Sequence, residues 1–444
     1  MKRTIRSIGA LSILFVLLLS SCNVQKPEGG ENSMVSEAKS LPSSAEHSST
    51  PSSSAAQSHA SSVTEETRSQ IEEDTKEATS QIKENTQSYP DYLVENPEQE
   101  NYVYLETEHT LAEKEGTVHE WYLDQLYPIA GTTIDHHGKL LLANMPKDAS
   151  DTATLYLANV EDQSMTPIHT AADELHFCEM YHDEEIIVFY EYKMWQSISN
   201  PLTYYIYHQA DGTFEIIDVS EFSLPPERND WNLDSYMARL EDDLYFELQH
   251  QETVYQESPS GNELVSAGVG IYRYNLKSKT VEYLADGFLP RVLGDEIVYI
   301  KDKTDTLVRL SDGQTVAEKV SEYSTYQDTM VIQRDNPINH QMETYYYKDG
   351  KEEKVLSRDA SRPFWKFRLN DRYIVWYQTS SSLYLYSIRD KEVLLVSSKE
   401  GARTADISEK YLFWYANEYT EFDMSATKAT LQYVKFEDES SQHL

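Results

Sequence analysis

The sequence predicts an all-β fold, a single β-propeller with seven four-stranded blades. One short apolar and aromatic strand recurs seven times between about residue 130 and the C-terminus, and every copy except the last is followed by a hairpin. The copies lie roughly 33 to 58 residues apart, which is the spacing of propeller blades. No helical period of useful length competes, and six or eight blades stay open as alternatives.

The recurring strand, strand b of each unit, consists almost entirely of apolar, β-branched and aromatic residues, which is typical of a strand buried on both faces. A weaker strand a precedes it, and strands c and d follow it as a hairpin. Asp-Gly at 211–212, 312–313 and 349–350 favours such hairpins because Gly readily adopts positive φ. The predicted copies of strand b are 139–143, 185–190, 243–248, 296–300, 329–332, 372–377 and 410–415.

The last unit is one strand short. After its strand b come one more apolar run, 430–436, and a polar C-terminal tail, 437–444. An unassigned strand-like run lies ahead of the first unit, at 117–123. A ring closed by this N-terminal strand loses two exposed sheet edges at once. The sequence therefore predicts a propeller domain over 101–436 in which residues around 117–123 form the outer strand of the last blade.

The N-terminal hundred residues predict an anchor and a spacer. Residues 1–22 have the basic start and short apolar core of a signal peptide, and they end in Leu19-Ser20-Ser21-Cys22, which resembles a bacterial lipobox. Cys22 is the predicted lipid attachment site. Residues 23–100 are rich in Ser and Glu and poor in large apolar residues, which predicts a disordered tether. With Cys22 acylated, Cys178 has no disulfide partner and is expected to be a buried thiol.

Composition and motifs exclude several functions. The formal net charge of −37 argues against nucleic acid and against a domain lying on an anionic membrane surface. The sequence contains no G-x-S-x-G, Walker loop, HExxH or EF-hand loop. We therefore predict no catalytic residues, no metal site and no cofactor, and an enzyme is the less favoured class.

Loop lengths indicate where a ligand binds. In a propeller the b–c and d–a connections share one face, here termed the loop face, and the a–b and c–d turns share the opposite turn face. The long connections are b–c at 193–202, 249–268, 334–342 and 416–428, and d–a at 220–233. Aromatic residues on such loops favour recognition, although they can instead pack back onto the blades. The candidate ligand-binding residues are Trp195, Trp231, Tyr255, His340, Tyr419 and Phe422.

The combination of lipobox, Ser-rich tether and repeated strand-hairpin units resembles the TolB-like propeller lipoproteins of bacterial envelopes. The resemblance covers about residues 117–436 at the level of the repeat, without WD dipeptides or kelch double glycines. It implies a binding scaffold and identifies no ligand.

The predicted function is a non-enzymatic binding or scaffold protein, anchored by lipid on the extracytoplasmic face of the cell membrane. Its expected partner is an envelope protein, peptide or glycan, and it is expected to be a monomer. The alternative is a propeller-type hydrolase or lyase that acts on an envelope polysaccharide or peptide. Converging carboxylates with shifted pKa at the channel mouth would favour the enzyme, and an exposed aromatic patch would favour the binding protein.

Overall fold

The computed structural model describes the strands at 93–95 and 103–105 and most of the chain from residue 107 to 437. Its ranges are 107, 109–144, 152–171, 175–193, 201–225, 237–258, 261–266, 268–336, 338, 341–359, 365–378, 382–397, 402–420 and 423–437. The predicted signal peptide, Cys22 and most of the predicted tether lie outside these ranges. No helix within them is long and apolar enough to cross a membrane.

The described strands of the propeller form seven blades in six sheets, because blades 3 and 4 belong to one seven-stranded sheet. Within each blade the four strands pair antiparallel, and their order follows the chain except at the closing strand of blade 7. Ahead of them the chain forms β1 (Leu93–Glu95), β2 (Val103–Leu105), β3 (His109–Thr110), the helix α1 (Leu111–Glu115) and β4 (His119–Leu123). Blade 1 contains β5 (Leu126–Pro128), β6 (Lys139–Asn144), β7 (Thr154–Asn159) and β8 (Met165–Thr170). Blade 2 contains β9 (Leu175–His182), β10 (Ile186–Lys193), β11 (Thr203–His208) and β12 (Thr213–Asp218).

Blades 3 and 4 share one long strand. Blade 3 contains β13 (Met237–Leu240), β14 (Asp243–Gln249), β17 (Val269–Asn275) and β18 (Thr280–Leu293), with β15 (Val254–Ser258) and β16 (Gly261–Ser266) inserted between β14 and β17. Blade 4 contains the second half of β18, β19 (Glu296–Lys301), β20 (Leu307–Arg309) and β21 (Thr315–Ala317). The sequence predicted a separate strand a for blade 4. The structure instead continues from strand d into strand a, with an irregular register around Leu289 (φ 55°).

The remaining blades complete the ring. Blade 5 contains β22 (Val320–Tyr326), β23 (Thr329–Asn336), β24 (Gln341–Lys348) and β25 (Lys351–Asp359). Blade 6 contains β26 (Trp365–Leu369), β27 (Tyr373–Gln378), β28 (Ser382–Ser387) and β29 (Glu392–Ser397). Blade 7 contains β30 (Ala402–Ile407), β31 (Tyr411–Thr420), β32 (Asp423–Lys435) and β4.

The predicted seven-bladed propeller and its closure by an N-terminal strand are confirmed. β4 pairs antiparallel with β32, from Leu123 opposite Ala429 to His119 opposite Tyr433, and so becomes the outer strand of blade 7. The predicted b strands are buried on both faces: Leu140, Leu141 and Leu142 of β6 are all fully buried. Cys178 is a buried thiol, as predicted.

The segment that leads into the closing strand was not predicted from the sequence. β3 adds a fifth strand to blade 6, parallel to β29, and α1 follows it directly. Thr110 and Glu113 form a capping box at the start of α1, and Leu111 is fully buried. Glu115 accepts a hydrogen bond from Arg372 Nη2 at 2.9 Å and another from the Tyr373 hydroxyl. This N-terminal clamp, residues 109–123, therefore joins blade 6 to blade 7.

Neighbouring blades are linked by side chains, most of which bond to the backbone of the next blade. Glu179 accepts from Thr133 N (3.0 Å), and Asp406 accepts from Ile134 N (3.0 Å). Glu247 accepts from Leu289 N (2.5 Å). Further links are Glu322 with Phe367 N, Tyr323 with the carbonyl of Val298, Asn370 with the carbonyl of Ser408, and Arg239 with Asp183. Buried carboxylates thus serve as partners for backbone N–H groups that the sheets leave unpaired.

Candidate functional site

The predicted ligand-binding residues fall where the structure gives no side-chain description. Trp195, Trp231, His340 and Phe422 lie outside the described residues. The backbones of Tyr255 and Tyr419 belong to β15 and β31, while their side chains are outside the description. The six residues therefore stay predictions.

The long b–c connections of blades 3, 5 and 7 are β-hairpins where loops were expected. β15 and β16 form a separate two-stranded sheet between β14 and β17. β23 and β24 remain paired to Asn336 opposite Gln341, and β31 and β32 to Thr420 opposite Asp423. In blade 7 this ladder continues past Ala416, the last residue of β31 that pairs with β30. We call these three hairpins the loop-face arms. Ile338, at the tip of the blade 5 arm, is 91% exposed.

The blade 3 arm starts from a rigid base. The amide groups of His250 and Gln251 both donate to the Gly268 carbonyl, at 2.9 and 3.3 Å. Buried Gln249 donates its side-chain amide to the Gln251 carbonyl and to the Thr253 hydroxyl, at 3.1 Å each. Gly268 has φ +53°, and a Cβ there would lie 2.3 Å from Gln251 Cβ. Because the base is closed by backbone bonds, the blade fixes the point from which the arm projects.

Beside this base lies a group of aromatic and polar side chains, the Tyr283 shelf, formed by His250, Tyr272, Tyr283 and Asp286. The Tyr283 ring is 5.5 Å from Tyr272 and 5.8 Å from His250, both edge to face. Tyr283 is 46% exposed, whereas Tyr272 is buried. Gly270 makes room for the group, since a Cβ there would lie 2.8 Å from the Tyr283 ring and 2.9 Å from His250.

The shelf is polar at its edge. The Tyr283 hydroxyl donates to Asp286 Oδ1 at 2.7 Å, and His250 Nε2 lies 3.8 Å from the same oxygen. Burial raises the pKa of Tyr272 and of Tyr283 to about 12, the bond to Asp286 adding to the shift at Tyr283. Burial also lowers the pKa of His250, so its ring is neutral at pH 7. The shelf can therefore stack against a flat ligand and accept hydrogen bonds from it.

The sequence did not single out these four residues. Tyr272 and Tyr283 are two of 33 tyrosines, and their spacing fits ordinary strand positions. The two rings meet because of the register between β17 and β18, which places Tyr272 opposite Tyr283. The Gly268-Val-Gly270 segment was a usable signal, because two glycines beside a strand indicate close approach of neighbouring groups.

A second group of titratable residues lies at the channel, where blades 7, 1 and 2 meet. It contains Asp135, Glu179, His182 and Asp406, whose side chains are at most 8% exposed. Burial raises the pKa of Glu179 to about 8 and that of Asp406 to about 6. These are converging carboxyl groups with shifted pKa, yet they are closed to a ligand in this conformation. No group of three potential ligands suited to a metal ion occurs among the described residues.

A depression of about 500 Å³ lies on the turn face, between blades 1, 2 and 3. Its cationic residues already have partners: Arg239 pairs with Asp183 (2.6 Å) and Glu185 (2.5 Å), and Lys279 pairs with Glu215. The Lys139 ammonium donates to Gln209 Oε1 at 2.9 Å. The depression is therefore a poor site for an anionic ligand.

Comparison with solved structures yields β-propellers. An oligogalacturonate lyase from Vibrio parahaemolyticus aligns with 73% of this chain and 98% of its own, at 10% identity and a TM-score of 0.47. An acylaminoacyl peptidase from Pyrococcus horikoshii aligns with 71% of this chain and 53% of its own, at 12% identity and a TM-score of 0.47. The β-propeller domain of the Trilobed protease from Pyrococcus furiosus aligns with 70% and 98%, at 12% identity and a TM-score of 0.44.

These similarities concern the propeller fold alone, and at such identities and TM-scores they support no activity for this chain. No protein-family model matches the sequence, and no curated protein matches it.

Proposed function

We propose that this chain is a TolB-like propeller lipoprotein that binds an envelope protein, peptide or glycan through its loop face without catalysis. The observation that carries the proposal is the Tyr283 shelf, an exposed aromatic side chain with polar neighbours beside the rigid base of the blade 3 arm. Aromatic residues presented by a rigid scaffold are typical of recognition surfaces. The lipid-anchored location rests on the lipobox that ends at Cys22.

The proposal is tested by site-specific photo-crosslinking in envelope preparations, with the soluble form that lacks residues 1–22. A photoreactive phenylalanine replaces either Tyr283 or Phe214. Phe214 is the matched control because it is an aromatic residue of similar exposure, 42%, on the outer strand of blade 2. We expect one discrete adduct from position 283 and none from position 214.

Truncation of the same two side chains measures their contribution to affinity. Tyr283→Ala should weaken binding of the crosslinked partner at least tenfold, because alanine removes an aromatic contact worth about 1.4 kcal/mol or more. Phe214→Ala should leave the affinity unchanged. Equal adducts at both positions, or equal affinities of both variants, would place recognition elsewhere on the molecule.

A hydrolase or lyase is the second candidate, and the channel group favours it. Two neighbouring carboxyl groups with pKa raised to different extents are a common arrangement for acid–base catalysis. If the chain is such an enzyme, opening of the channel must expose Asp406. Asp406→Asn should then abolish cleavage of envelope polysaccharide or peptide by the soluble form, while Tyr283→Ala retains the turnover number. If the unaltered protein cleaves neither polysaccharide nor peptide, the enzyme hypothesis is rejected and the binding function is the remaining proposal.

A further inference from the structure

The loop that joins strands a and b of blade 1, residues 129–138, is held at the channel by two buried carboxyl groups. Glu179 Oε1 of β9 accepts from the Thr133 amide at 3.0 Å and also from the Thr133 hydroxyl. On the other side of the loop, Asp406 accepts from the Ile134 amide. We call residues 129–138 the blade 1 loop. The two buried carboxyl groups therefore fix the middle of the loop, while the Glu179 amide fixes its start by donating to the Ala130 carbonyl at 2.8 Å.

Several polar atoms in this group have no hydrogen-bond partner among the described residues. They are Glu179 Oε2, Asp135 Oδ2 and both ring nitrogens of His182. His182 Nε2 lies 3.9 Å from Asp135 Oδ2, and His182 Nδ1 lies 4.0 Å from Glu179 Oε1. The side chains of Glu179 and His182 are completely buried. A buried carboxylate with an unpartnered oxygen is strongly unfavourable, and binding a proton relieves the penalty.

The neighbouring negative charges also raise the pKa of Glu179. Asp135 faces it from the blade 1 loop and Asp406 faces it from β30, and both disfavour its negative charge. Arg368 and Arg291 face Asp406, with Arg368 Nε 3.4 Å from Asp406 Oδ1. His182 is faced by Asp135, Asp183 and Lys139. With the pKa of Glu179 near 8 and that of His182 near 4, Glu179 is protonated and His182 is neutral at pH 7.

We propose that Glu179 is a proton-operated latch: in its protonated form it holds the blade 1 loop against β9, and on losing the proton it releases the loop and opens this end of the channel. The two bonds from Thr133 favour the ionised form of Glu179, but burial of the carboxyl group disfavours it more. An ionised Glu179 beside Asp135 and Asp406 therefore needs water, and displacement of the blade 1 loop would admit that water. The proposal concerns the channel and is independent of whether the Tyr283 shelf binds a ligand.

The pH window follows from the direction of each shift. Glu179 binds its proton more tightly in the closed state than in a solvated open state, so opening becomes more favourable as pH rises from about 4.5 to about 8 and levels off above pH 8. His182 has the opposite shift and favours opening only as pH falls from 6.5 to about 4. Between pH 6.5 and 8, the pH dependence of loop opening therefore comes from Glu179 and not from His182.

Hydrogen exchange of the full chain in detergent micelles tests the latch. After correction for the intrinsic exchange rate, the opening constant of peptides that cover 129–138 should rise almost tenfold per pH unit below pH 7.5, and about fifteenfold between pH 6.5 and 8. It should then level off above pH 8.5. Peptides across the a–b turn of blade 4, around Gly294, are the internal control and should show no pH dependence.

The Glu179→Gln variant keeps the acceptor oxygen for Thr133 but cannot titrate, so its opening constant should be flat with pH. A flat profile in the unaltered protein, or an equal slope in Glu179→Gln, would overturn the proposal. Thr133→Val provides a second comparison if the glutamine variant does not fold. It removes the hydroxyl donor and keeps the carboxyl group, so the opening constant should be higher at every pH with the slope unchanged.

Discussion

Deleting residues 1–125 should lower the free energy of unfolding by several kcal/mol, whereas deleting residues 1–106 should leave it unchanged. The longer deletion removes the N-terminal clamp, in which Leu111, Trp121 and Leu123 are 0, 7 and 1% exposed. Burial of side chains of this size stabilises a fold by about 1.5–3 kcal/mol each. It also removes the β4–β32 ladder and leaves the edge of β32 unpaired.

Urea denaturation followed by far-ultraviolet circular dichroism measures both deletions without reliance on Trp121. The shorter deletion is the matched control because it removes the predicted anchor, the predicted tether and the β1–β2 pair but keeps β3, α1 and β4. Coincident denaturation midpoints for the two deletions would show that the ring does not need its N-terminal strand.

Gly131→Ala should destabilise the protein by several kcal/mol more than Gly294→Ala. Both glycines have positive φ, +78° and +66°, so alanine is strained at either position by roughly 1–2 kcal/mol. At Gly294 a Cβ has no heavy atom within 4 Å. At Gly131 it would lie 2.3 Å from the Glu179 carbonyl oxygen, which forces the blade 1 loop away from β9.

The comparison of the two glycine variants separates backbone strain from steric overlap. Urea denaturation of both gives the difference directly, since each variant carries the same cost of positive φ. Equal destabilisation of the two variants would mean that the blade 1 loop can move away from Glu179 at little cost in free energy. Blades 1 and 2 would then be less tightly joined at the channel than the structure indicates.

The sequence was informative where a strand is buried on both faces. Short apolar runs such as 139–143 are typical of strands buried on both faces and stand out in a polar, acidic sequence. The b strands, and from them the number of blades, could therefore be predicted. The closing strand could be predicted because the last blade lacked an outer strand. Helix α1 was missed because five residues give no helical period, although Thr110 and Glu113 form a recognisable capping box.

Other features had misleading local signals or none. Asp286-Gly287 and Pro290 indicate a turn and a break, yet β18 runs through them because proline tolerates extended backbone and the register shifts nearby. The channel group joins residues from β9, β30 and the blade 1 loop that are far apart in the sequence. No local pattern reveals such a group, since only closure of the ring brings its members together.

The pairing of β4 with β32 also determines when this protein can finish folding. Leu123 and Ala429 are opposite one another although they are roughly 300 residues apart in the chain, so their contact forms late. At a synthesis rate of about 5–20 residues per second, β4 waits about 15–60 s for its partner strand to be made. During that interval blade 7 is incomplete, and the unfinished chain exposes an open sheet edge to its surroundings. The protein is therefore most vulnerable to aggregation and proteolysis while it waits for its last strand to be made.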